Sequence, residues 1–428
     1  MNFITNNVFS QMKIDSYFEY IFPENIVFIM FYGSLIASIF IVLLYLFNFK
    51  ENFAYVVGLW SSAIIVLLSI ILLIQSINYD NTLIVSTLFS FYPSFALTFR
   101  FGVDAISALF ILLTTVCTYI CLLHADQSNK KSWTALISMF FLQWSVISAF
   151  MAFDLLAFFI FFETTLIPIF LIILLLGSRE RRVRASYMIS IYTLFGSIFM
   201  LFNIFYLISK LSTSNYLQLL SLDLSTTDFR FWWILFFIAF AAKVPMFPLH
   251  IWLPEAHVEA PTIGSVLLAV LLLKLGTYGI VRFLIGPAGG ATIYYSSLIN
   301  IFAIISVIYT SLTAIRQIDV KKIIAYSSVG HMNVVLLGLL VLNIENVEGS
   351  ILQMLSHGIV SGALFLVVGA FYIRYKIRSL EYLGGFMVTY PILSVIFLIF
   401  SLANISFPGT SNFVGEFMIM FGLFSQNT

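Results

Sequence analysis

Long runs of apolar residues, separated by short polar loops, form the dominant pattern along this chain. A helix needs about 20 apolar residues to cross the roughly 30 Å hydrocarbon core of a bilayer. Twelve runs approach this length, and they cover residues 27–47, 54–75, 102–123, 135–153, 154–177, 185–208, 231–253, 263–285, 292–315, 323–343, 350–372 and 391–424. The pattern therefore predicts an all-α polytopic membrane protein with about 12 transmembrane helices.

Two segments fall outside this pattern. Residues 79–100 are apolar but contain Pro93 and alternating β-formers, which favours an extended loop outside the membrane. Residues 1–26 have no basic region followed by a small-residue cleavage site, so we expect neither a secretory signal nor an Arg-rich transit peptide. No hydrophilic stretch is long enough to form a separate domain.

The distribution of Lys and Arg predicts the orientation of the chain. Loops after the odd-numbered spans contain thirteen of the 20 basic residues: Lys50, Lys130, Lys131, Arg179, Arg181, Arg182, Arg184, Arg316, Lys321, Lys322, Arg374, Lys376 and Arg378. Loops after the even-numbered spans contain only Arg100, Lys210 and Arg230. We therefore expect the odd-numbered loops to face the matrix or cytoplasm, and we interpret the basic run SRERRVR as part of this topology signal.

The remaining basic residues include two lysines in the middle of spans. Lys13 belongs to the N-terminal segment, and Arg282 lies near the end of the eighth span, where a long side chain can snorkel to the interface. Lys243 and Lys274 have no such position. A lysine at the centre of a span costs about 2.5–3.5 kcal/mol on insertion scales, so buried lysines are indicative of a functional site.

Four further spans contain a titratable residue near mid-depth: Glu163 in the fifth span, His331 in the tenth, His357 in the eleventh and Glu416 in the twelfth. Burial disfavours the charged form of each group, which allows protons to be exchanged near neutral pH. We predict that Glu163 pairs with Lys243. The set predicts a proton relay through the membrane, with water bridging the gaps between groups.

Each of these residues also has a structural interpretation. A single membrane histidine commonly forms a hydrogen bond between helices, which is an open alternative for His331 and His357. Asp104 and Asp154 stand at the starts of spans, where carboxylates typically interact with the helix N-terminus. We therefore interpret both aspartates as helix-start residues and not as ligands.

The segment after Lys243 has a superficial likeness to a metal site. It contains His250, Glu255, His257 and Glu259. The two histidines are separated by six residues, unlike the HExxH spacing that places both ligands on one helical face. The prolines nearby also disfavour one continuous helix, so we expect no bound metal.

Composition excludes several other classes of protein. Hydrophobic residues make up 61% of the chain and charged residues 9%, against about 25% charged in soluble domains. A net charge of +1 offers no basic face for nucleic acid. Cys117 and Cys121 alone cannot hold an iron–sulfur centre, and we interpret them as packing residues. No Gly-rich nucleotide loop occurs, so a redox cofactor would have to bind another subunit.

Two spans contain helix breaks, KVPMFPLH in the seventh and SFPGTSNF in the twelfth. Breaks at corresponding places in two halves are typical of transporters with inverted repeats. We predict an N-terminal extension at 1–26, helices 1–3 at 27–134, a first antiporter-like half at 135–285 and an incomplete second half at 286–428.

These motifs together resemble a known family. FGVDAISALFILLTT, the Glu-bearing fifth span, KVPMFPLHIWLPEAHVEAPTIGSVLLAVLLLKLGTYGIVRF, KKIIAYSSVGHMN, QMLSHGIVSGALF and FPGTSNFVGEF are similar to the NADH dehydrogenase subunit 4 family. Members are antiporter-like proton-pumping subunits of respiratory complex I. The resemblance covers about residues 100–424, and a glutamate in the twelfth span, where sibling subunits carry lysine, favours subunit 4 in particular.

The resemblance implies a function and a set of site residues. By position it implies a proton relay of Glu163, Lys243, Lys274, His331 and Glu416, with His250 and His357 as further members. It implies that NADH-driven quinone reduction elsewhere in the complex drives the protons. It also implies that NAD, FMN, iron–sulfur clusters and ubiquinone bind other subunits, with no cofactor on this chain.

The resemblance further implies location and partners. We expect a multi-pass protein of the mitochondrial inner membrane, or alternatively of a bacterial plasma membrane. Its partners would be lipids and other complex I membrane-arm subunits, including neighbouring antiporter-like ones. The family has fourteen spans and this sequence ends after the twelfth, so we expect a separate polypeptide to supply the last two helices.

Two other functions remain open from the residues alone. An Mrp-type sodium/proton antiporter or a membrane-bound hydrogenase would share the buried lysine and glutamate. A purely structural membrane-arm subunit would not use them. A quinone site on this chain is a weaker hypothesis, because nothing distinguishes it from aromatic packing in a chain with 17% aromatic residues.

Overall fold

The computed structural model describes residues 24–78, 84–91, 97–125, 132–221, 227–382 and 384–426. The expectations for the N-terminal segment before residue 24, and those that rest on Pro93, Lys130 and Lys131, lie outside these residues. The described part is dominated by helices, as the apolar runs predict.

The first half of the chain forms a bundle with a two-stranded sheet between its second and third helices. The elements are α1 (Glu24–Leu46), α2 (Glu51–Asn78), β1 (Ile84–Phe91), β2 (Leu97–Val103), α3 (Ala105–Leu123), α4 (Ser132–Met151), α5 (Leu155–Thr164), α6 (Leu166–Leu176), α7 (Arg182–Leu211), α8 (Tyr216–Ser221) and α9 (Thr227–Lys243). Helices α5 and α6 together make one span.

The remaining elements follow the break after α9. Its elements are α10 (Trp252–Glu259), α11 (Thr262–Leu267), a π-helical segment (Leu268–Leu272), α12 (Leu273–Gly279), a second π-helical segment (Ile280–Ile285), α13 (Gly289–Ile315), α14 (Val320–Leu340), α15 (Ile344–Tyr375), a 3₁₀ turn (Leu380–Tyr382), α16 (Phe386–Thr389), α17 (Pro391–Asn404) and α18 (Ser411–Gln426).

The count of spans agrees with the twelve apolar runs. Ten stretches in the described residues are helical, long and apolar enough to cross a membrane. The two remaining runs are the interrupted ones, with α9 and α10 in the seventh span and α17 and α18 in the twelfth. The predicted polytopic fold with two discontinuous helices is therefore confirmed.

The stretch after α2 is more ordered than the predicted extended loop. β1 and β2 pair antiparallel, with a bulge between Thr87 and Phe89. The backbone is extended, as the alternating β-formers indicate, and strand pairing satisfies the N–H and C=O groups that an extended segment leaves free. The backbone of Phe153 also donates to the carbonyl of Arg100, which ties β2 to the end of α4.

The eighth span, Thr262–Ile285, is the centre of the bundle. In its most apolar window 94% of the residues are buried, against 22% for the neighbouring span Gly289–Ile315. A helix that is apolar on all sides is stable either in lipid or in a protein core, so sequence pattern alone cannot separate the two cases. Its central position brings Lys274 into the interior of the protein.

The helix-start aspartates cap helices, as predicted. Asp104 accepts a hydrogen bond from the Ser107 N–H and completes a capping box at the start of α3. Asp154 accepts from the Leu156 N–H at the start of α5. Each carboxylate satisfies a backbone donor that a helix N-terminus otherwise leaves unpaired.

Arg282 does not snorkel to the interface, which corrects the sequence interpretation. It is buried, and its Nη2 lies 2.7 Å from Asp104 Oδ2. The guanidinium also lies over the rings of Phe153 and Tyr216. Asp104 is more than 170 residues away in sequence, and a partner at that distance cannot be inferred from one helix.

The loops after the odd-numbered spans meet at one face of the bundle, here called the basic face. A cavity of about 420 Å³ on this face is lined by residues from the ends of several such loops, among them Glu51, His124, Ser178, Thr262, Lys321 and Arg378. The common position of these loops agrees with the orientation predicted from their Lys and Arg content.

Candidate functional site

The six titratable residues predicted at mid-depth lie in two groups along the bundle. The first group, Lys243 and Glu163, lies where the seventh span breaks beside the fifth. The second group comprises Lys274, His357, His331 and Glu416, which connect the eighth, eleventh, tenth and twelfth spans.

Lys243 is the last residue of α9 and is only 1% exposed. Its ammonium donates to the Phe162 carbonyl at 2.8 Å and to Thr165 Oγ1 at 3.2 Å. It also lies 3.3 Å from the centroid of the Phe162 ring, a cation–π position. These acceptors stand at the junction of α5 and α6, where the helix is interrupted. The break in the fifth span thus holds the lysine of the seventh.

Glu163 lies next to Phe162 on the same helix and interacts electrostatically with Lys243. Its Oε1 is buried and has no hydrogen-bond partner among the residues that the structure describes. The two charges do not form an ion pair at contact distance, because Lys243 binds neutral oxygens of the same helix. The arrangement keeps the glutamate close to the lysine, with Ser197 of α7 beside the carboxylate.

Lys274 lies at the centre of the protein and is 0% exposed. Its Nζ donates to the Ala269 carbonyl at 2.6 Å and lies 2.8 Å from Nδ1 of His357. Ala269 belongs to the first π-helical segment, Leu268–Leu272. A π-helical turn shifts the backbone hydrogen bonds from the i−4 to the i−5 register, and such turns are frequent at functional sites. Here the altered turn presents a carbonyl to the lysine five residues later.

His357, His331 and Glu416 continue from Lys274 towards the break in the twelfth span. The rings of His357 and His331 lie 5.6 Å apart between centroids. His331 Nδ1 lies 2.6 Å from Glu416 Oε1, and the same oxygen accepts from Gln353 Nε2 at 3.0 Å. Lys274, His357, His331 and Glu416 therefore form a series across four helices, with a hydrogen bond at each end and a ring contact between the two histidines.

The two groups are joined by close helix packing and not by a direct hydrogen bond. A Cβ added at Gly276 would lie 3.4 Å from Cβ of Lys243 and 2.5 Å from Cγ2 of Val244. Glycine at this position lets α12 approach the end of α9. The ammonium groups themselves face different partners, and no hydrogen bond among the described residues links Lys243 to Lys274.

His250 lies away from both groups. It is buried after the helix break, and its ring packs against Phe247 and Tyr309 at 5.9 and 5.3 Å between centroids. Within the described part of the chain its Nδ1 has no hydrogen-bond partner. It lies beside the break, and no contact among the described residues joins it to Lys243.

Sequence reasoning missed two polar residues of this region. Gln353 donates a hydrogen bond to Glu416. In the sequence it is a single polar residue four positions before His357, which does not by itself indicate a functional role. Lys321 was assigned to a basic loop, yet it is 3% exposed and donates to the Ala260 carbonyl and to Ser265 Oγ, both at 2.8 Å. Its neighbour Lys322 remains partly exposed. The two lysines differ only in the direction in which their side chains leave the first turn of α14.

Comparison with known proteins gives one consistent family. Residues 152–428 match the family model described as NADH:quinone oxidoreductase/Mrp antiporter, TM. The NADH-ubiquinone oxidoreductase chain 4 of Marchantia polymorpha is 48% identical over 375 residues, which are 87% of this chain and 75% of the relative. That of Arabidopsis thaliana is 46% identical over 396 residues, which are 91% of this chain and 79% of the relative.

A solved structure shows the same fold. A chain of respiratory complex I from Thermus thermophilus with bound NADH superposes with a TM-score of 0.82 at 30% sequence identity. The match covers 92% of this chain and 82% of that chain.

Proposed function

This chain belongs to the NADH-ubiquinone oxidoreductase chain 4 family, and we propose that its buried lysine, histidine and glutamate side chains form the path for protons. As a member of that family it is a proton-translocating membrane-arm subunit of respiratory complex I, in the mitochondrial inner membrane. It contributes to an NADH:ubiquinone reductase that translocates protons, together with other subunits of the complex. We further propose that no cofactor binds this chain and that the redox groups lie on those other subunits.

The series Lys274, His357, His331 and Glu416 is the observation that supports the relay. Because Nδ1 of His357 faces an ammonium, the neutral imidazole accepts there and carries its own proton on Nε2. A proton that moves from Lys274 to Nδ1 is matched by release of the proton on Nε2 towards His331. The imidazole then returns to its first tautomer. The same steps in reverse carry a proton the other way.

Glu416 receives the proton at the other end of this series. The 2.6 Å separation of His331 Nδ1 and Glu416 Oε1 is a charge-assisted hydrogen bond, which is short and strong. Gln353 holds the carboxylate in place as the proton moves between the two partners. We propose that the break in the twelfth span next opens this pair to one side of the membrane.

In this proposal Glu163 and Lys243 form one end of the relay, and the charge on Glu163 controls how easily Lys243 releases its proton. When the Glu163 carboxylate is charged, it stabilises the Lys243 ammonium; when it is protonated, that stabilisation is lost and the lysine releases its proton more easily. A change in distance between the fifth and seventh spans would have the same effect. His250, at the break itself, is a further candidate for exchange with water.

The relay can be tested with Lys243→Ala in the assembled complex. Lys322→Ala is the matched control, because that lysine is partly exposed and makes only a 3.9 Å contact with Glu255. We expect Lys243→Ala to lower the number of protons moved per NADH oxidised, and Lys322→Ala to leave the number unchanged. An unchanged ratio in Lys243→Ala would favour a purely structural subunit.

The alternative of an Mrp-type antiporter or a hydrogenase subunit shares the fold and the buried lysine. Copurification distinguishes it from the complex I subunit. We expect the chain to copurify with flavin and iron–sulfur proteins and with NADH:quinone activity. Purification with sodium/proton exchange and without these proteins would support the alternative.

We also propose that further helices on a separate polypeptide cover the twelfth span. In α17 only Ala403 is buried among the described residues of that helix, and the segment between α17 and α18 exposes backbone around Gly409. Backbone that is not helical is tolerated at membrane depth only where protein or a water-filled cavity surrounds it. Mass spectrometry of proteins cross-linked to α17 tests this proposal, and lipid alone beside this span in a map of the complex would refute it.

The two breaks support the division into two antiporter-like halves, residues 135–285 and 286–428. Lys243 lies at the break of the first half and Glu416 lies just after the break of the second. We propose that the two positions are equivalent ends of one path. Superposition of the halves should bring the breaks into register, and a mismatch of several residues would contradict the repeat.

A further inference from the structure

His257 is a buried titratable residue that the proposed relay does not use. It is 0% exposed, and its ring stacks on Phe365 with 4.7 Å between centroids and an interplanar angle of 3°. Neither ring nitrogen has a hydrogen-bond partner in the described ranges. Stacking uses the faces of the ring and leaves both nitrogens free at its edge. A buried polar group of this kind normally binds ordered water.

The cavity on the basic face lies close to this histidine. Its volume of about 420 Å³ is large enough for several water molecules, since each occupies about 30 Å³ in the liquid. Lys321, Lys376, Arg378 and Tyr372 contribute to its polar lining. His124, at the end of α3, also lines the cavity, and burial lowers the pKa of its imidazole.

Hydrogen bonds connect the floor of the cavity to the backbone of His257. Lys321 lines the cavity and donates to Ser265 Oγ at 2.8 Å. The Ser265 hydroxyl in turn donates to the His257 carbonyl at 3.0 Å. Gly369, which also lines the cavity, lies four residues from the stacking partner Phe365 on α15. The imidazole therefore stacks on a residue that lies one helical turn from the lining of the cavity.

The same helix leads from His257 to the relay. Phe365 and His357 are eight residues apart on α15, a distance of about 12 Å along the axis. Ser361 lies between them, with its hydroxyl donating to the His357 carbonyl at 2.6 Å. His257 also interacts electrostatically with Lys321, which lines the cavity, and with Lys274.

Small residues on α15 bring this path against the helix of Lys274. A Cβ added at Gly358 would lie 3.6 Å from Cε of Lys274, and one added at Gly362 would lie 3.0 Å from Cγ2 of Val270. The two helices are thus in close contact along the whole interval. Proton transfer over the distance that remains requires bridging water.

We propose that His257 transfers protons between the cavity on the basic face and the pair formed by Lys274 and His357. One ring nitrogen accepts a proton from cavity water while the other releases its proton to water on the side of Lys274. The imidazole then returns to its starting tautomer, so no charge accumulates on it. The same steps carry protons outward in reverse. This inference rests on the proposed relay and adds to it an entrance on the side predicted to face the matrix.

The test uses His257→Phe in the whole complex. Phenylalanine keeps an aromatic ring for the stack with Phe365 but has no nitrogen to carry a proton. In inside-out membrane vesicles, where the basic face meets the medium, we expect proton translocation to fall at least fivefold with assembly intact. His257→Ala leaves space for a small base, and we expect imidazole added to the medium to restore at least half of the rate lost in that variant. Sodium chloride at equal ionic strength should restore nothing.

Two further variants make each outcome decisive. Phe365→Leu removes the stack and keeps the imidazole, so it should retain most of the rate. Normal translocation in His257→Phe would overturn the inference, and so would a loss that imidazole cannot restore in His257→Ala and that Phe365→Leu shares. Lys274→Met, measured in parallel, distinguishes the two proposals. If both Lys274→Met and His257→Phe translocate protons normally, the proposed relay is refuted. If Lys274→Met is inactive and His257→Phe is normal, only the proposed entrance at His257 is refuted.

Discussion

Replacing Lys274 by methionine separates the role of this lysine in transport from its role in folding. Methionine has nearly the same length and shape as lysine but carries no proton and no charge. It also occupies a position that is fully buried among apolar neighbours. The side chain loses its bonds to the Ala269 carbonyl and to His357 Nδ1.

The expected change in stability is small because two large effects oppose each other. A hydrogen bond to a charged group contributes about 1.5–3 kcal/mol, so two such bonds contribute about 3–6 kcal/mol. Removing a buried ammonium recovers a desolvation penalty of several kcal/mol. We therefore expect the free energy of unfolding to change by no more than about 2 kcal/mol, which leaves the subunit assembled.

The transport step has no such compensation. Without Lys274 the series begins at His357, and the passage from Lys243 has no group to receive the proton. We expect the ratio of protons moved to NADH oxidised to fall below that of the native complex. The measurement is made in proteoliposomes with a pH-sensitive dye, alongside the NADH:quinone rate and a thermal scan of the complex. A native ratio in an assembled Lys274→Met complex would refute the reasoning, as would a failure to assemble.

Three more predictions follow from the same contacts. Glu416→Gln keeps a hydrogen-bonding side chain beside His331 but cannot take up a proton, so the proton-to-NADH ratio should fall while the complex stays assembled; a native ratio would exclude Glu416 from the path. Asp104→Asn leaves the buried Arg282 without its ion-pair partner. The unpaired charge should destabilise the subunit by about 3–5 kcal/mol and lower its yield in the complex. Near-native thermal stability would contradict a buried ion pair. Gly276→Ala places a methyl group 2.5 Å from Cγ2 of Val244. The clash should separate α12 from the end of α9, lower the free energy of unfolding by about 1–3 kcal/mol and slow proton translocation. Unchanged rate and stability would show that this packing is not required.

The relation between Lys243 and Glu163 shows one limit of inference from sequence. Both residues are in spans, at mid-depth, and a direct ion pair is the simplest expectation. The structure instead gives Lys243 the Phe162 carbonyl and the Thr165 hydroxyl, with Glu163 close but not in contact. The break between α5 and α6 supplies these acceptors, and its geometry depends on how the helices pack.

Lys321 and Arg282 show a second limit. From the distribution of basic residues we assigned Lys321 to a loop and expected Arg282 to snorkel to the interface, because both lie near the ends of apolar runs. In the structure both side chains are buried. Lys321 donates hydrogen bonds to Ala260 and Ser265, and Arg282 forms an ion pair with Asp104. A residue near the end of a span faces either solvent or the bundle, and the apolar pattern contains no information about which.

The sequence alone determined the membrane architecture, the two helix breaks, the orientation signal and six titratable residues within the spans. These follow from the transfer of single side chains and backbone groups into hydrocarbon, a property of each residue and its immediate neighbours. Tertiary structure alone decided which of those residues touch: Lys274 with His357, His331 with Glu416, and His257 with Phe365. Such pairs join helices up to about 110 residues apart. Their distances depend on helix packing, where small residues set the approach, and no local pattern specifies that packing.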